Sequence, residues 1–317
     1  MIWLYVIIAF IIISLFIHFS MIYLIFLKFF GRNSLKSIDK SSRKTSYSKA
    51  YAEEMISIRN ELLNSSKYEM VSITSFDGLK LTGYYFANNS DKTIIMCHGL
   101  HTHAFNNFGY QIKYFLAKGY NILAINQRAH EGSEGKYVTY GQKESKDILS
   151  WLEFISQDAK INSIYPYGIS MGATALAYAS EKIINKKVKL LIFESMFSSV
   201  NELTTHIMTS QHVPSFFFAG AVRWLSKRLA GISWDNISTT LSLQKNHIPS
   251  VFVHASKDSI AINKFFEDNY NNCLSNKYKI IVDGATHALC ALHDKDKYLD
   301  QLESIIGDLT INKSSEN

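Results

Sequence analysis

The chain has 317 residues, of which 47% are hydrophobic, and this is enough for one large folded domain and a smaller appendage. The three cysteines, Cys97, Cys273 and Cys290, are an odd number at spacings that match no disulfide framework and no zinc site, so we expect reduced thiols. The net charge of +6 comes without a basic face interleaved with aromatic residues, so we expect no nucleic-acid binding.

The N-terminal segment is long and apolar. From Ile2 to Phe30 it contains few polar residues, among them His18 and Ser20, and one charged side chain, Lys28. About 20 such residues are enough to span a bilayer. A secretory signal peptide has a positive start, a shorter apolar region and a small-residue cleavage site, none of which is present. We therefore predict a transmembrane anchor over residues 1–30, with a buried helix of a soluble domain as the alternative.

Positive residues follow the apolar segment and set its predicted orientation. Cytoplasmic flanks of membrane spans carry an excess of Lys and Arg, and only the α-amino group precedes this span. The cations that follow are Lys28, Arg32, Lys36, Lys40, Arg43 and Lys44. We predict a single-pass protein of the cell membrane whose C-terminal domain lies in the cytoplasm, where cysteines stay free. Residues 31–65 are interpreted as a juxtamembrane linker and helix.

Strands and helices alternate after this linker. Residues 68–87 alternate in polarity around Asp77-Gly78, a pair typical of hairpin turns, so the first two strands should be antiparallel. Further along the chain, the alternation of strands with helices is typical of βαβ units in a parallel sheet. We predict helices at about 106–118, 139–157 and 171–185, and strands at about 92–97, 121–126, 163–168 and 188–194.

Residues 168–172 read Gly-Ile-Ser-Met-Gly, which fits the G-x-S-x-G pattern of a serine on a sharp strand-to-helix turn. A β-prone run precedes it and an alanine-rich run, residues 173–179, follows it. The turn is crowded, so small residues must flank the serine, and Gly168 and Gly172 meet that need. We predict that Ser170 is a nucleophile.

A serine hydroxyl is a weak nucleophile that needs a base and an acid to orient the base. In proteins with this motif the three follow in the order Ser, Asp or Glu, His. Strand-like runs at 251–255 and 279–282 are followed by Asp258 and by His287. Since active sites of open α/β sheets lie beyond the carboxyl ends of the strands, we predict His287 as the base and Asp258 as the acid. Asp283 is a competing candidate for the acid.

The electrophilic half of the site is predicted at the end of the strand over 92–97, which runs into His98-Gly99-Leu100. A developing oxyanion needs preorganised N–H donors. We expect one donor to be the backbone of Met171, directly after the nucleophile. The other should be the backbone of Leu100, where Gly99 lets the chain turn closely.

These motifs resemble those of the α/β-hydrolases, in particular bacterial esterases, monoglyceride lipases and proline-iminopeptidase-like serine aminopeptidases. Residues 126–135 read Asn-Gln-Arg-Ala-His-Glu-Gly-Ser-Glu-Gly, which is similar to the family's D-x-R-x-H-G-x-S-x-G segment. Asn126 stands in place of the usual Asp, and Glu131 in place of the usual Gly. The resemblance covers roughly residues 68–308.

The resemblance implies an α/β-hydrolase domain over residues 66–317, with a mostly parallel, eight-stranded sheet flanked by helices. It also implies a helical cap insertion at about 196–247, whose aromatic run over 213–219 suits an apolar acyl group. It favours Asp258 over Asp283, because the family's acid follows the seventh strand. Arg128 is expected to tie loops together by a salt bridge.

The predicted function is that of a serine hydrolase that cleaves small-molecule or lipid-like carboxylic esters through an acyl-enzyme, with no cofactor and no metal. A metal cluster of His98, His101, His103 and His130 is disfavoured, because the two family-like loops account for His98 and His130. Two alternatives stay open. One is a peptidase or amidase of the same fold, and the other is a tethered binding module that has lost catalysis.

Overall fold

The structure is a computed structural model of the chain, and it describes residues 1–32, 49–65, 67–210, 219–235 and 237–314. Residues 33–48 of the predicted linker and most of the aromatic run of the insertion therefore lie outside the described residues.

A single eight-stranded sheet organises the C-terminal domain, in the order β1-β2-β4-β3-β5-β6-β7-β8. β2 is antiparallel to both of its neighbours, and every pairing from β4 to β8 is parallel. This confirms the predicted hairpin and the mostly parallel sheet. The strands are β1 (Glu69–Thr74), β2 (Lys80–Phe86), β3 (Lys92–Cys97), β4 (Asn121–Ile125), β5 (Ser163–Ile169), β6 (Leu191–Glu194), β7 (Ser250–Ala255) and β8 (Lys277–Val282).

Ten helices accompany this sheet in the described part of the chain. A short π-helical turn, Ser226–Ala230, directly follows the helix over Ala219–Leu225. The helices are α1 (Ile2–Phe30), α2 (Lys49–Asn64), α3 (Ala104–Ala117), α4 (Glu144–Ser156), α5 (Met171–Ser180), α6 (Val200–Ser210), α7 (Ala219–Leu225), α8 (Thr239–Leu243), α9 (Asn263–Asn272) and α10 (Cys290–Ser314).

Both faces of the sheet are covered, which explains why its central strands are apolar at nearly every position. Alternate residues of β3 point to opposite sides. Ile94 and Met96 pack in one cluster with α3 and α10, whereas Ile95 and Cys97 pack in another with α4 and α5. The period-two geometry of a strand thus places two hydrophobic layers around one sheet.

The fourth helix begins later than the sequence pattern predicts, at Glu144 instead of about residue 139. The Glu144 carboxylate accepts hydrogen bonds from the backbone N–H groups of Thr139 and Gly141, at 2.8 and 2.9 Å. Tyr140 and Gly141 have positive φ angles of 52° and 95°, which a helix cannot contain. The side chain of Glu144 therefore holds the preceding residues in a loop.

Helix α1 has two parts with different surroundings. Residues 2–17 are all exposed, and the helix is long and apolar enough to span a membrane. Near its C-terminal end, Ile22, Phe26 and Phe30 are buried. Phe26 packs on Tyr137, and the Val138 N–H donates to the Phe30 carbonyl at 2.8 Å. The last turns of the apolar segment are therefore part of the folded domain, which its hydropathy alone does not indicate.

The insertion between β6 and β7 is helical, as predicted, and contains α6, α7 and α8. It joins the end of α1 and the start of α5 in a third hydrophobic cluster. Phe26 and Phe30 of α1, Met171 of α5, and Val200 and Leu203 of α6 belong to this cluster. The insertion thus packs beside the turn that carries Ser170.

Candidate active site

Ser170 lies between β5 and α5, in the sharp turn that its motif predicts. Its φ of 53° and ψ of −116° are strained for a residue with a side chain. A Cβ on Gly172 would lie 1.9 Å from the Cys97 carbonyl oxygen, and one on Gly168 would lie 2.5 Å from the Ala173 backbone. Both glycines are therefore required by contact with backbone atoms that cannot move aside.

The structure brings the three predicted side chains together at the carboxyl ends of β5, β7 and β8. His287 Nε2 lies 2.9 Å from Ser170 Oγ, although the two residues are 117 positions apart. His287 Nδ1 lies 2.8 Å from Asp258 Oδ2. This is the order of contacts that a nucleophile, a general base and an orienting carboxylate require.

The Asp258 carboxylate is enclosed but well supplied with hydrogen bonds. Its side chain is 0% exposed, and Oδ1 accepts the backbone N–H groups of Ile260 and Ala261 at 2.9 and 2.8 Å. Burial alone raises the pKa of Asp258, but the charge of His287 and these hydrogen bonds outweigh burial and lower it. Asp258 is therefore an anion at neutral pH. Its other oxygen, Oδ2, is the one that contacts the imidazole.

Asp283, the competing acid, has a different partner. Its Oδ1 accepts a hydrogen bond from Ser256 Oγ at 2.9 Å, and Ser256 Oγ in turn accepts the Gly284 N–H at 2.8 Å. These contacts fix the turn that follows β8. The carboxylate that contacts His287 is that of Asp258.

The turn after β3 lies against the nucleophile. A Cβ on Gly99 would lie 3.3 Å from Ser170 Cβ, so the backbone passes close to the serine. Asn107 Oδ1 accepts the Gly99 N–H at 2.7 Å and fixes this path. Within the described residues, the N–H groups of Leu100 and Met171 donate no hydrogen bond to the protein. Two backbone donors thus stay unpaired beside Ser170.

Two buried histidines connect this turn to the family-like segment over 126–135. His98 Nε2 accepts the Gln127 N–H at 3.0 Å, and His130 Nε2 accepts the His101 N–H at 2.9 Å. Burial lowers the pKa of His98 to about 4 and the pKa of His130 well below its ordinary value. Both rings are neutral and serve as backbone hydrogen-bond acceptors. In the described part of the chain, no group of three or more His, Cys, Asp or Glu side chains is arranged to hold a metal ion.

The two departures from the family segment have visible local consequences. Asn126 Nδ2 donates to Thr82 Oγ1 at 2.9 Å, so its amide links this segment to β2. Glu131 has a φ of 46°, a value that favours the glycine usual at that place. Arg128 forms salt bridges with Asp77 and Asp147, at 2.9 and 2.7 Å, and ties loops together as predicted.

Two further residues position the site without having been predicted from the sequence. Asn107 fixes the turn at Gly99, as described above. Ser195 Oγ accepts the Ala288 N–H at 3.2 Å and so supports the loop that carries His287. Asn107 acts on a residue eight positions away and Ser195 on one 93 positions away, and no motif or spacing in the sequence marks either of them.

Comparisons with known proteins agree with this architecture. A family model described as alpha/beta hydrolase fold matches residues 92–250. The chain is 25% identical over 248 residues to the uncharacterized protein YqkD of Bacillus subtilis (strain 168), a match that covers 77% of this chain and 80% of that protein.

Solved structures of esterases and hydrolases share the fold at low sequence identity. The Pyrococcus furiosus esterase Pf2001 matches with a TM-score of 0.63 and 21% identity, over 76% of this chain and 92% of its own. The esterase EaEST of Exiguobacterium antarcticum matches with a TM-score of 0.58 and 17% identity, over 75% and 100%. An alpha-beta hydrolase of Vibrio vulnificus matches with a TM-score of 0.60 and 18% identity, over 80% and 86%.

Proposed function

Because the chain belongs to the α/β-hydrolase family, we propose that it is a membrane-anchored serine hydrolase that cleaves carboxylic esters. The observation that carries this proposal is the continuous contact from Ser170 through His287 to the buried Asp258. The esterases among the structural neighbours support the same class of reaction.

The proposed reaction uses the site in two half-reactions. His287 Nε2 takes the Ser170 proton as the oxygen attacks the substrate carbonyl, and Asp258 stabilises the imidazolium that forms. The Leu100 and Met171 N–H groups hold the oxyanion. His287 then returns the proton to the departing alcohol, which leaves an acyl group on Ser170. In the second half-reaction His287 takes a proton from a water molecule, whose oxygen attacks the acyl carbon. The proton then returns to Ser170 Oγ as the carboxylic acid leaves.

Esters are proposed over amides because an amine must be protonated before it leaves, and the sequence supplies no acid dedicated to recognising an amine. We expect the purified protein to hydrolyse p-nitrophenyl esters with a kcat/KM about 100-fold or more above that for p-nitroanilides of the same acyl groups. Matched acyl groups make the leaving group the sole variable. Faster cleavage of the anilides would favour the peptidase alternative instead.

The inactive binding module is the other alternative. It is disfavoured because a lost active site has no reason to retain a hydrogen-bonded Ser170–His287 pair beside two unpaired backbone donors. Labelling of Ser170 by an active-site probe separates the two, as argued in the Discussion.

We propose that residues 1–30 form the anchor, 31–65 the linker and helix, and 66–317 the hydrolase domain, with the insertion at about 196–247 as a cap. The buried end of α1 adds a constraint on where the anchor can be removed. Burial of one Phe side chain stabilises a fold by about 1.5–3 kcal/mol, and Phe26 and Phe30 are both buried. A truncation at residue 33 removes both, whereas a truncation at residue 22 retains them.

We expect the intact chain to stay in the membrane fraction through a carbonate wash, because a transmembrane helix does not leave the bilayer under those conditions. The chain that starts at residue 22 should become soluble and keep hydrolysing short esters. A C-terminal tag should resist protease added to intact cells, since the Lys and Arg bias places the domain inside. Release of the intact chain into the carbonate supernatant would contradict the anchor. Removal of the tag by protease outside intact cells would contradict the proposed orientation but not the anchor.

A further inference from the structure

A cavity of about 570 Å³ lies between the end of the apolar helix and the cap insertion. Its volume falls within the range of about 300–1,000 Å³ typical of small-molecule sites. The walls come from α1, α6 and α7, with Tyr140 and Trp234 beside them. The lining residues contributed by α1 are Ile25, Lys28, Phe29 and Phe30.

The position of these residues along α1 places the cavity relative to a bilayer. The hydrocarbon core is about 30 Å thick, which about 20 helical residues cross. Residues 2–21 are of that length and are almost wholly exposed in the structure. Ile22 is the first buried residue of the helix. With residues 2–21 in the hydrocarbon, as proposed above, the segment from Ile25 to Phe30 lies at the level of the lipid headgroups.

The cavity shares part of its apolar wall with the hydrophobic cluster beside the active site. Phe30, Tyr140 and Leu203 line the cavity. The same three side chains belong to the hydrophobic cluster that contains Met171 and against which Leu100 packs. Met171 directly follows Ser170 in the chain, and Leu100 follows Gly99, whose backbone passes close to Ser170. The cavity and the turn that carries Ser170 thus pack against the same hydrophobic cluster.

The charged residues of the cavity wall are both cations, Lys28 and Arg223, and no acid lines it in the described part of the chain. They lie on α1 and α7, two helices that pack against each other. Arg223 stacks on Trp234, with its guanidinium carbon 4.9 Å from the ring centroid, and donates to Asn201. These contacts hold its charge at the wall. The combination of apolar walls and two cations is complementary to an anionic amphiphile.

We propose that this cavity binds an acyl chain of an anionic membrane lipid, which enters from the bilayer with α1 as one wall of the site. This inference rests on the proposed esterase function. Lys28 and Arg223 face the lipid phosphate, and Ser170 attacks the acyl ester. The bond from Ser170 Oγ to the acyl carbon forms as the bond from that carbon to the glycerol oxygen breaks, and His287 carries the proton to that oxygen. The membrane anchor is thus a part of the substrate site.

The test uses the full chain in vesicles of an ether-linked phosphatidylcholine, which has no acyl ester of its own. Trace 1-palmitoyl lysophosphatidylglycerol and 1-palmitoyl lysophosphatidylcholine are compared as substrates, with p-nitrophenyl acetate as a measure of the catalytic centre. We expect the anionic lipid to be hydrolysed about tenfold faster, because both lipids carry the phosphate but only the second adds a choline cation, which the two cations of the cavity wall repel. In the combined Lys28→Gln and Arg223→Gln variant that preference should disappear. Lys227→Gln, an exposed cation outside the cavity, is the matched control and should retain it.

Substitutions at Gly220 test whether the acyl chain binds in the cavity. Gly220 lines the cavity, and an added Cβ there meets nothing within 4 Å. Gly220→Trp should lower the ratio of palmitoyl to acetyl ester hydrolysis about tenfold, because an indole occupies space that the chain needs. Gly220→Ala, which adds one carbon, should leave the ratio near that of the parent.

The outcomes separate this inference from the proposed function. Hydrolysis of the acetate with no lipid hydrolysis, equal rates for the two lipids, or an unchanged ratio in Gly220→Trp overturns the lipid site and leaves the esterase standing. The absence of hydrolysis of all three esters overturns the esterase, and the lipid site with it.

Discussion

Replacement of Ser170 with alanine is expected to abolish ester hydrolysis and labelling by a fluorophosphonate probe. The substitution removes the hydroxyl that lies 2.9 Å from His287 Nε2, and with it the nucleophile and the proton that the base takes in the proposed reaction. Loss of the nucleophile in such a site lowers kcat by about 10⁴- to 10⁶-fold. Labelling is the sharper readout, because the probe forms its bond with the serine oxygen itself.

The fold should survive this change. Alanine keeps the same backbone demands as serine at a φ of 53°, and the lost hydrogen bond contributes about 1 kcal/mol. The melting temperature measures this. Ser150→Ala is a suitable control, since Ser150 Oγ bonds to the Lys146 carbonyl of its own helix at 3.3 Å. Full labelling of the Ser170 variant would show that another residue is the nucleophile.

Asp258→Asn should lower kcat by about 10⁴-fold, although it changes the size of the side chain very little. The carboxylate accepts the Nδ1–H of His287 at 2.8 Å and so leaves Nε2 free to accept the Ser170 proton. An amide can instead donate to Nδ1, and the imidazole proton then moves to Nε2. That tautomer cannot act as a base toward Ser170.

Asp283→Asn is the matched comparison, because the chemical change is identical and the residue is exposed. It weakens the bond from Ser256 Oγ without touching His287. Surface substitutions of this kind change the free energy of unfolding by about 0.5 kcal/mol or less. Because His287 keeps its contacts with Ser170 and Asp258, the rate should stay within about twofold of the parent. Initial rates on one short ester decide between the two acids. The opposite ranking of the two variants would assign the acid role to Asp283.

Much of this protein is determined by interactions over short stretches of sequence. The apolar run from Ile2 to Phe30, the alternation around Asp77-Gly78 and the Gly-Ile-Ser-Met-Gly turn each depend on a few neighbouring residues. Their physical causes are local as well: side-chain periodicity, hydropathy and the steric room that a crowded turn allows. For this reason the strands, most helices and the turn at Ser170 were predictable within a few residues. The late start of α4 was not, because it depends on where one side chain, Glu144, directs its oxygens.

The tertiary structure alone decided which distant groups meet. Asp258 and Asp283 each follow a strand, and nothing local in the chain separates them; the resemblance to a family favoured Asp258, and the packed sheet brings its carboxylate to His287. The support from Ser195 and the burial of Phe26 and Phe30 likewise depend on contacts between segments 90 or more residues apart. Hydropathy sets the length of an apolar helix, but it does not say which of its turns face lipid and which face protein. Only the assembled packing of α1 against the cap insertion shows that the end of this apolar helix is a wall of the cavity.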